Sequence, residues 1–122
     1  MAKGMTKNPS LGDFELFILL AISRLGADAY GTTVLEEVEN LSEKEVSVGA
    51  LYTSLKRLEK KALIESELGE ATQERGGRAK KYVGLTASGR SALEAAIAEL
   101  RRLGSVISSS GWSPNPTMTG TQ

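Results

Sequence analysis

From Asp13 to Leu25 the chain is apolar almost without interruption: Phe14, Leu16, Phe17, Ile18, Leu19, Leu20, Ala21, Ile22 and Leu25. A helix that is apolar on every side is buried on every side. The segment therefore predicts a central core helix, or a helix that divides its faces between the core and a second subunit. Gly26 follows as a residue able to close the helix with positive φ. Tyr30, Val34, Leu35, Val38 and Leu41 then recur at helical spacing, with acids on the opposite face. A third helix opens at Ser47, a side chain suited to the N-cap. Leu51, Leu55, Leu58 and Leu63 make its buried stripe, and Ala50, Thr53, Lys56, Arg57 and Lys60 make its other face.

After Leu63 the period shortens. Ile64 to Leu68 alternates loosely, and Tyr82, Val83 and Leu85 supply a second short apolar run. The polar, glycine-bearing "GEATQERGGR" between them predicts a hairpin loop. Thr86 caps a fourth helix, in which Leu93, Ile97, Leu100 and Ile107 approach a coiled-coil seam that Ala96 and Leu103 widen. Residues 1–10 are polar and predict a flexible N-terminal segment. Residues 108–122 carry no charged side chain, and their hydroxyl, Pro and Gly content predicts a flexible tail, interrupted by the lone Trp112.

Composition narrows the chemistry. The 122 residues suit one domain with tails, and they include no Cys and no His. Disulfides and thiol catalysis are excluded, and the commonest general base and metal ligand are missing. The chain thus reads as no enzyme, with no cofactor and no metal. Lys3 and Lys7 ahead of "LFILLAI" have the outline of a leader, but Asp13, Glu15 and Arg24 break its pattern. The apolar run is also too short to span a bilayer, so no membrane role and a cytoplasmic location are expected.

Fifteen Lys and Arg balance fifteen Asp and Glu. Their distribution is informative where their sum is not. Asp28 to Glu45 holds six acids and one base, Ser47 to Lys61 four bases and one acid, and Arg75 to Lys81 four bases and no acid. Three helices, a hairpin and a long helix follow the order of a winged helix-turn-helix, a mostly α fold with a small β-hairpin. In that fold the third helix and the hairpin tip form one positive surface. Small residues at the start of the helix admit close approach to a major groove, and cations on the hairpin reach the flanking phosphates. A solvated basic face on a short helix, and a tight turn at Gly76–Gly77, are the plainer readings of the same residues.

"VSVGALYTSLKRLEKKALIES", "GGRAKKYVGLTASGR" and "AYGTTVLEEVE" together resemble the PadR family of bacterial transcriptional regulators, over roughly Asp13 to Leu103. The single C-terminal helix is similar to that of the family's compact subgroup. The resemblance implies a winged-helix domain over residues 11–86 and a dimerisation helix over 87–107. It also implies a homodimeric repressor on a pseudo-palindromic operator of double-stranded DNA, released in some members by small hydrophobic or aromatic compounds. Ser47, Gly49, Tyr52, Thr53, Lys56 and Arg57 match the recognition helix. Gly77, Arg78, Lys80, Lys81 and Tyr82 match the wing, which Arg75 adjoins. Thr86, Gly89 and Arg90 match the turn into the last helix, where Leu93, Ile97, Leu100, Leu103 and Ile107 are the expected dimer contacts. Phe14, Phe17 and Trp112 are candidate effector contacts if the first helix lines a dimer cavity; the plainer and preferred reading of Phe14 and Phe17 is core. Val48, Thr53 and Ala79 stand where the family usually has proline, and Ala62 where it usually has glycine. A winged-helix module that meets an acidic protein instead of DNA is the alternative function.

Overall fold

The computed structural model describes residues 11–69 and 80–111. Helix α1, Asp13–Leu25, lies at the centre. Ile18, Leu19, Ala21 and Ile22 are buried, and Phe14, Leu16, Phe17, Leu20 and Leu25 pack around them half-buried. The apolar run is a core helix, wrapped by the elements that follow it. Full burial of Ile18 and of Leu19 stabilises the fold by about 1.5–3 kcal/mol each. Gly26 ends α1 at φ 59°, as its position predicts, and leads into a 3-10 turn over Gly26–Asp28.

Tyr30 departs from the helical reading. Its backbone is extended, at φ −147°, and it forms a β-bridge with Tyr82 just before helix α2, Gly31–Ser42. The stripe of α2 is carried by Val34 and Val38, both buried. Thr33 Oγ1 accepts from the Tyr30 N–H (3.0 Å) and donates to the Asp28 carbonyl (2.6 Å), which fixes the entry to the helix. Glu43 closes α2 in the left-handed region at φ 58°. Glu39 Oε2 accepts from the Val46 N–H (2.9 Å) across the connection to α3.

Helix α3, Val48–Lys60, begins as its sequence predicts, with Ser47 Oγ accepting from the Ala50 N–H at 3.0 Å. Leu51, Ser54, Leu55 and Leu58 form its buried face. The helix stops at Lys60, before Leu63, which enters the core from the turn that follows. In that turn the Leu63 N–H donates to the Leu58 carbonyl and the Ala62 N–H to the Glu59 carbonyl, with Ala62 at φ 62°. This is a Schellman closure with alanine at the position that glycine favours.

Strand β1, Ile64–Leu68, pairs antiparallel with β2, Lys81–Leu85, in the register Ile64–Leu85, Ser66–Val83 and Leu68–Lys81. The Val83 N–H donates to the Ala29 carbonyl at 2.9 Å, so the 29–30 segment borders β2 on its other side. Helix α4, Ala87–Ser110, runs three residues past the expected end at 107 before Gly111 closes it at φ 81°. Thr86 Oγ1 accepts from the Gly89 N–H (2.9 Å) and donates to the Ala62 carbonyl (2.7 Å), and the Thr86 N–H donates to the Leu63 carbonyl (3.1 Å). A Cβ at Gly89 would collide with that same Leu63 carbonyl.

Two substitutions test this junction, read by urea unfolding. Gly89→Ala forces α4 off the turn and lowers stability by about 2–3 kcal/mol. Ala62→Gly removes about 1–2 kcal/mol of left-handed strain against roughly 0.5–1 kcal/mol of added chain entropy, so stability rises by about 0.5–1 kcal/mol. A loss of stability in Ala62→Gly would contradict the assigned turn.

Candidate nucleic-acid interface

Because Leu51, Leu55 and Leu58 point α3 into the core, the residues between them face outward. Gly49, Tyr52, Thr53, Lys56, Arg57 and Lys60 are all exposed, as are Ser47 and Val48 at the start of the helix. A Cβ added at Gly49 would meet nothing within 4 Å. The fold itself therefore makes no demand for glycine there, and the start of α3 presents a small, open surface. No ion pair among the described residues engages Lys56, Arg57 or Lys60.

Lys61, counted in the same basic block, serves a different purpose. Its ammonium donates to both oxygens of Glu15 on α1, at 3.0 and 3.1 Å. Glu15 is buried and also accepts from the Gly12 N–H at 3.4 Å. The pair ties the end of α3 to the start of α1, 46 residues apart in sequence, and takes one cation out of the exposed surface. No periodic signal marks it, since a lone carboxylate at the mouth of an apolar helix reads as solvent-facing.

Tyr52 is half exposed, and its hydroxyl end lies where a Cβ on Gly31 would be. The ring therefore leans back over the first turn of α2 while its remaining surface faces outward. Gly31, read from sequence only as part of the "YG" segment, leaves the space that the hydroxyl end of Tyr52 occupies.

In the hairpin, Lys80 and Lys81 are exposed, and strand alternation sends them to opposite faces. Lys80 shares a face with Tyr82. Its ammonium stands 4.4 Å from the centroid of the Tyr30 ring, which meets the Tyr82 ring edge-on at 5.4 Å and 69°. Arg75, Gly77 and Arg78, the other expected wing contacts, lie outside the described residues, as does Trp112.

Phe14 and Phe17 line a groove of about 340 Å³ within the one chain, together with Asp13, Ser42, Lys44, Glu45, Val46, Ser47 and Ala50. This groove adjoins the start of α3, and the buried Ser42 Oγ in its wall has no hydrogen-bond partner among the described residues. Along α4, Leu93 is buried in the chain's own core and Ile97 packs half-buried against it. The apolar residues left exposed are Leu100, Leu103 and Ile107, with Val106 beside them, at 41 to 55 % of their surface. Val106 falls off the seam that the heptad spacing picks out, so the sequence pattern alone does not mark it.

Three helices with a hairpin, an outward basic face on the third helix and a long helix projecting beyond the core define a winged-helix protein. Residues 18–95, more than half of the chain, match the transcriptional regulator PadR-like family. The chain belongs to that family of transcriptional regulators. It is similar to the structure of a PadR-like transcription factor from Bacteroides fragilis, at 29% identity and TM-score 0.65, covering 77% of this chain and 85% of that one. It is also similar to a PadR family regulator from Clostridium difficile (27%, TM-score 0.62, 80% and 97% covered). A PadR-like regulator from Bacillus cereus resembles it to the same degree (27%, TM-score 0.64, 78% and 87% covered). No curated protein sequence matches the chain significantly. No helix among the described residues is long and apolar enough to cross a membrane.

Removing the cation beside the buried carboxylate tests the Glu15–Lys61 assignment. Lys61→Met strands the Glu15 carboxylate and costs about 1–2 kcal/mol, below the usual penalty for a broken buried pair because Lys61 is partly solvated. Glu15→Leu in the same chain recovers most of that deficit. Equal stability of the wild type and Lys61→Met in urea would show the pair to be incidental.

Proposed function

We propose that the protein is a sequence-specific DNA-binding regulator, a homodimer that represses its target genes in the cytoplasm. The observation that carries this reading is the outward face of α3. It combines an open start at Ser47–Ala50 with the exposed Thr53, Lys56 and Arg57, none of the cations held in an ion pair among the described residues. Tyr52, Thr53 and Lys56 are the residues to read base edges. Lys80, Lys81 and the wing cations Arg75 and Arg78 are the residues to hold phosphate, which fixes register without naming a sequence.

Dimerisation rests on the exposed stripe of Leu100, Leu103 and Ile107, continued inward by the half-buried Ile97, while Leu93 stays in the chain's own core. A two-fold dimer places two recognition helices about one DNA turn, near 34 Å, apart, and so calls for a pseudo-palindromic operator. Release by a small hydrophobic or aromatic effector is supported by the groove at Phe14 and Phe17, which touches the first turn of α3. A flat molecule there would act on the recognition helix directly. The place of Trp112 in that event is a matter of sequence alone.

The central experiment is a fluorescence-anisotropy titration of the purified protein against DNA from upstream of its own gene and against random DNA, at several salt concentrations. Binding to the operator is expected to exceed random binding by roughly a thousandfold or more. Lys56→Ala and Arg57→Ala weaken it, and each phosphate that goes unneutralised flattens the log–log salt slope by about 0.9. An aromatic effector is expected to weaken binding in the wild type and much less in a groove-filling Val46→Phe variant. Absence of binding to any DNA would sink the reading and leave the basic face to an acidic protein partner.

Sedimentation velocity checks the assembly. The wild type is expected as a dimer and Leu103→Glu/Ile107→Glu as a monomer of unchanged helicity, because both side chains are exposed in the single chain. Dimers of the double variant would place the interface elsewhere.

A further inference from the structure

The dipeptide Tyr30–Gly31 stands between the two parts of the proposed DNA surface. On one side Gly31 leaves the space that Tyr52 of α3 occupies. On the other, the Tyr30 ring meets Tyr82 edge-on and carries the Lys80 ammonium over its face, 4.4 Å from the centroid. A cation at that distance from a tyrosine face is attracted by the ring's quadrupole.

The ring is a fixed platform. The backbone of Tyr30 is held by the β-bridge to Tyr82, and its N–H donates to Thr33 Oγ1. The neighbouring Ala29 carbonyl accepts from the Val83 N–H. Among the described residues, the hydrogen bond that holds Lys80 is at its backbone, where its carbonyl accepts from the Gly69 N–H at 2.7 Å. Without the ring, four rotatable bonds would let its ammonium sweep a wide arc. Lys81, on the opposite face of β2, has no such partner ring among the described residues.

We propose that Tyr30 is a positioning residue for DNA binding, whose ring aims the Lys80 ammonium at a phosphate beside the groove that α3 enters. The inference rests on the DNA-binding reading above. It separates the two wing-base lysines: Lys80 is preorganised and Lys81 is not. It also gives the "YG" pair one role, to fix the wing against the recognition helix through both of its neighbours.

Two measurements on the full chain test it. In solution NMR without DNA, ring current shifts the ε-methylene protons of Lys80 upfield of those of Lys81. Equal shifts in the wild type would overturn the stack. In anisotropy titrations, Tyr30→Leu weakens operator binding several-fold and flattens the salt slope by about 0.9, as when one phosphate goes without its cation. Tyr30→Phe keeps the face and restores both. In a Lys80→Met background, which folds with Tyr30 intact, the binding and slope match those of Tyr30→Leu, and Tyr30→Leu adds nothing further. An unchanged slope in Lys80→Met, or an additive weakening in the double variant, overturns the proposal while leaving wild-type DNA binding in place. A wild type that binds no DNA removes the reading itself, and the inference with it.

Discussion

Lys61, Ala62 and Leu63 form a turn that holds this fold together. The Schellman bonds end α3 there, and Leu63 drops into the core to start β1. The Ala62 and Leu63 carbonyls accept from Thr86, which caps α4, and the Leu63 carbonyl sits so close to Gly89 that no side chain fits between them. The Lys61 ammonium reaches the Glu15 carboxylate on α1. Helix α3, the hairpin, the central helix and the projecting helix are thereby fixed to one another within three residues. A shift in any of them is felt by the rest, because a carbonyl on a buried residue such as Leu63 is costly to leave without a donor.

The same geometry explains how a neutral chain can present a positive face. Cations in the sequence blocks have different tasks. Lys61 neutralises a buried acid, and Arg24 pairs with Glu37 at the exposed edge of α2. Lys56, Arg57 and Lys60 remain on the outer side of α3. The local excess therefore comes from where the charges are placed, with five of the fifteen acids gathered on α2 and in the connection that follows it, and not from a large number of bases. Charge kept local in this way raises the field at one surface without the self-repulsion that a strongly basic chain carries.

Much of this was legible in the chain. Period and caps located all four helices, and Ser47 and Thr86 accept the N-cap hydrogen bonds their positions suggested. The hairpin followed from the change of period after Leu63. What escaped were contacts between residues distant in sequence. Nothing local distinguishes Tyr30 as extended instead of helical, because its spacing to Val34 suits a helix; the bridge to Tyr82, 52 positions away, decides it. Leu93 fits a dimer seam by spacing and is instead buried under the chain's own α1 side of the core. Of the candidate interface, the exposed face of α3 could be read from the leucine stripe alone. The preorganisation of Lys80 and the diversion of Lys61 could not, since each depends on a partner brought close only by folding.

The projecting part of α4 links this scaffold to its proposed task. At 24 residues the helix is about 36 Å long, yet only its first turns meet the core. Leu100, Leu103, Val106 and Ile107 remain open to water in the single chain. An apolar stripe on a helix without a core to face is stable only in part, because most helical stability comes from packing. A second copy laid against that stripe would supply the missing packing and set the two-fold axis. The rigid turn at Lys61–Leu63 would then transmit the position of that axis to α3 with little slack. In such an arrangement the spacing of the two recognition helices depends on the crossing angle of two α4 helices, so specificity for an operator would be set as much at this seam as at the residues that touch bases.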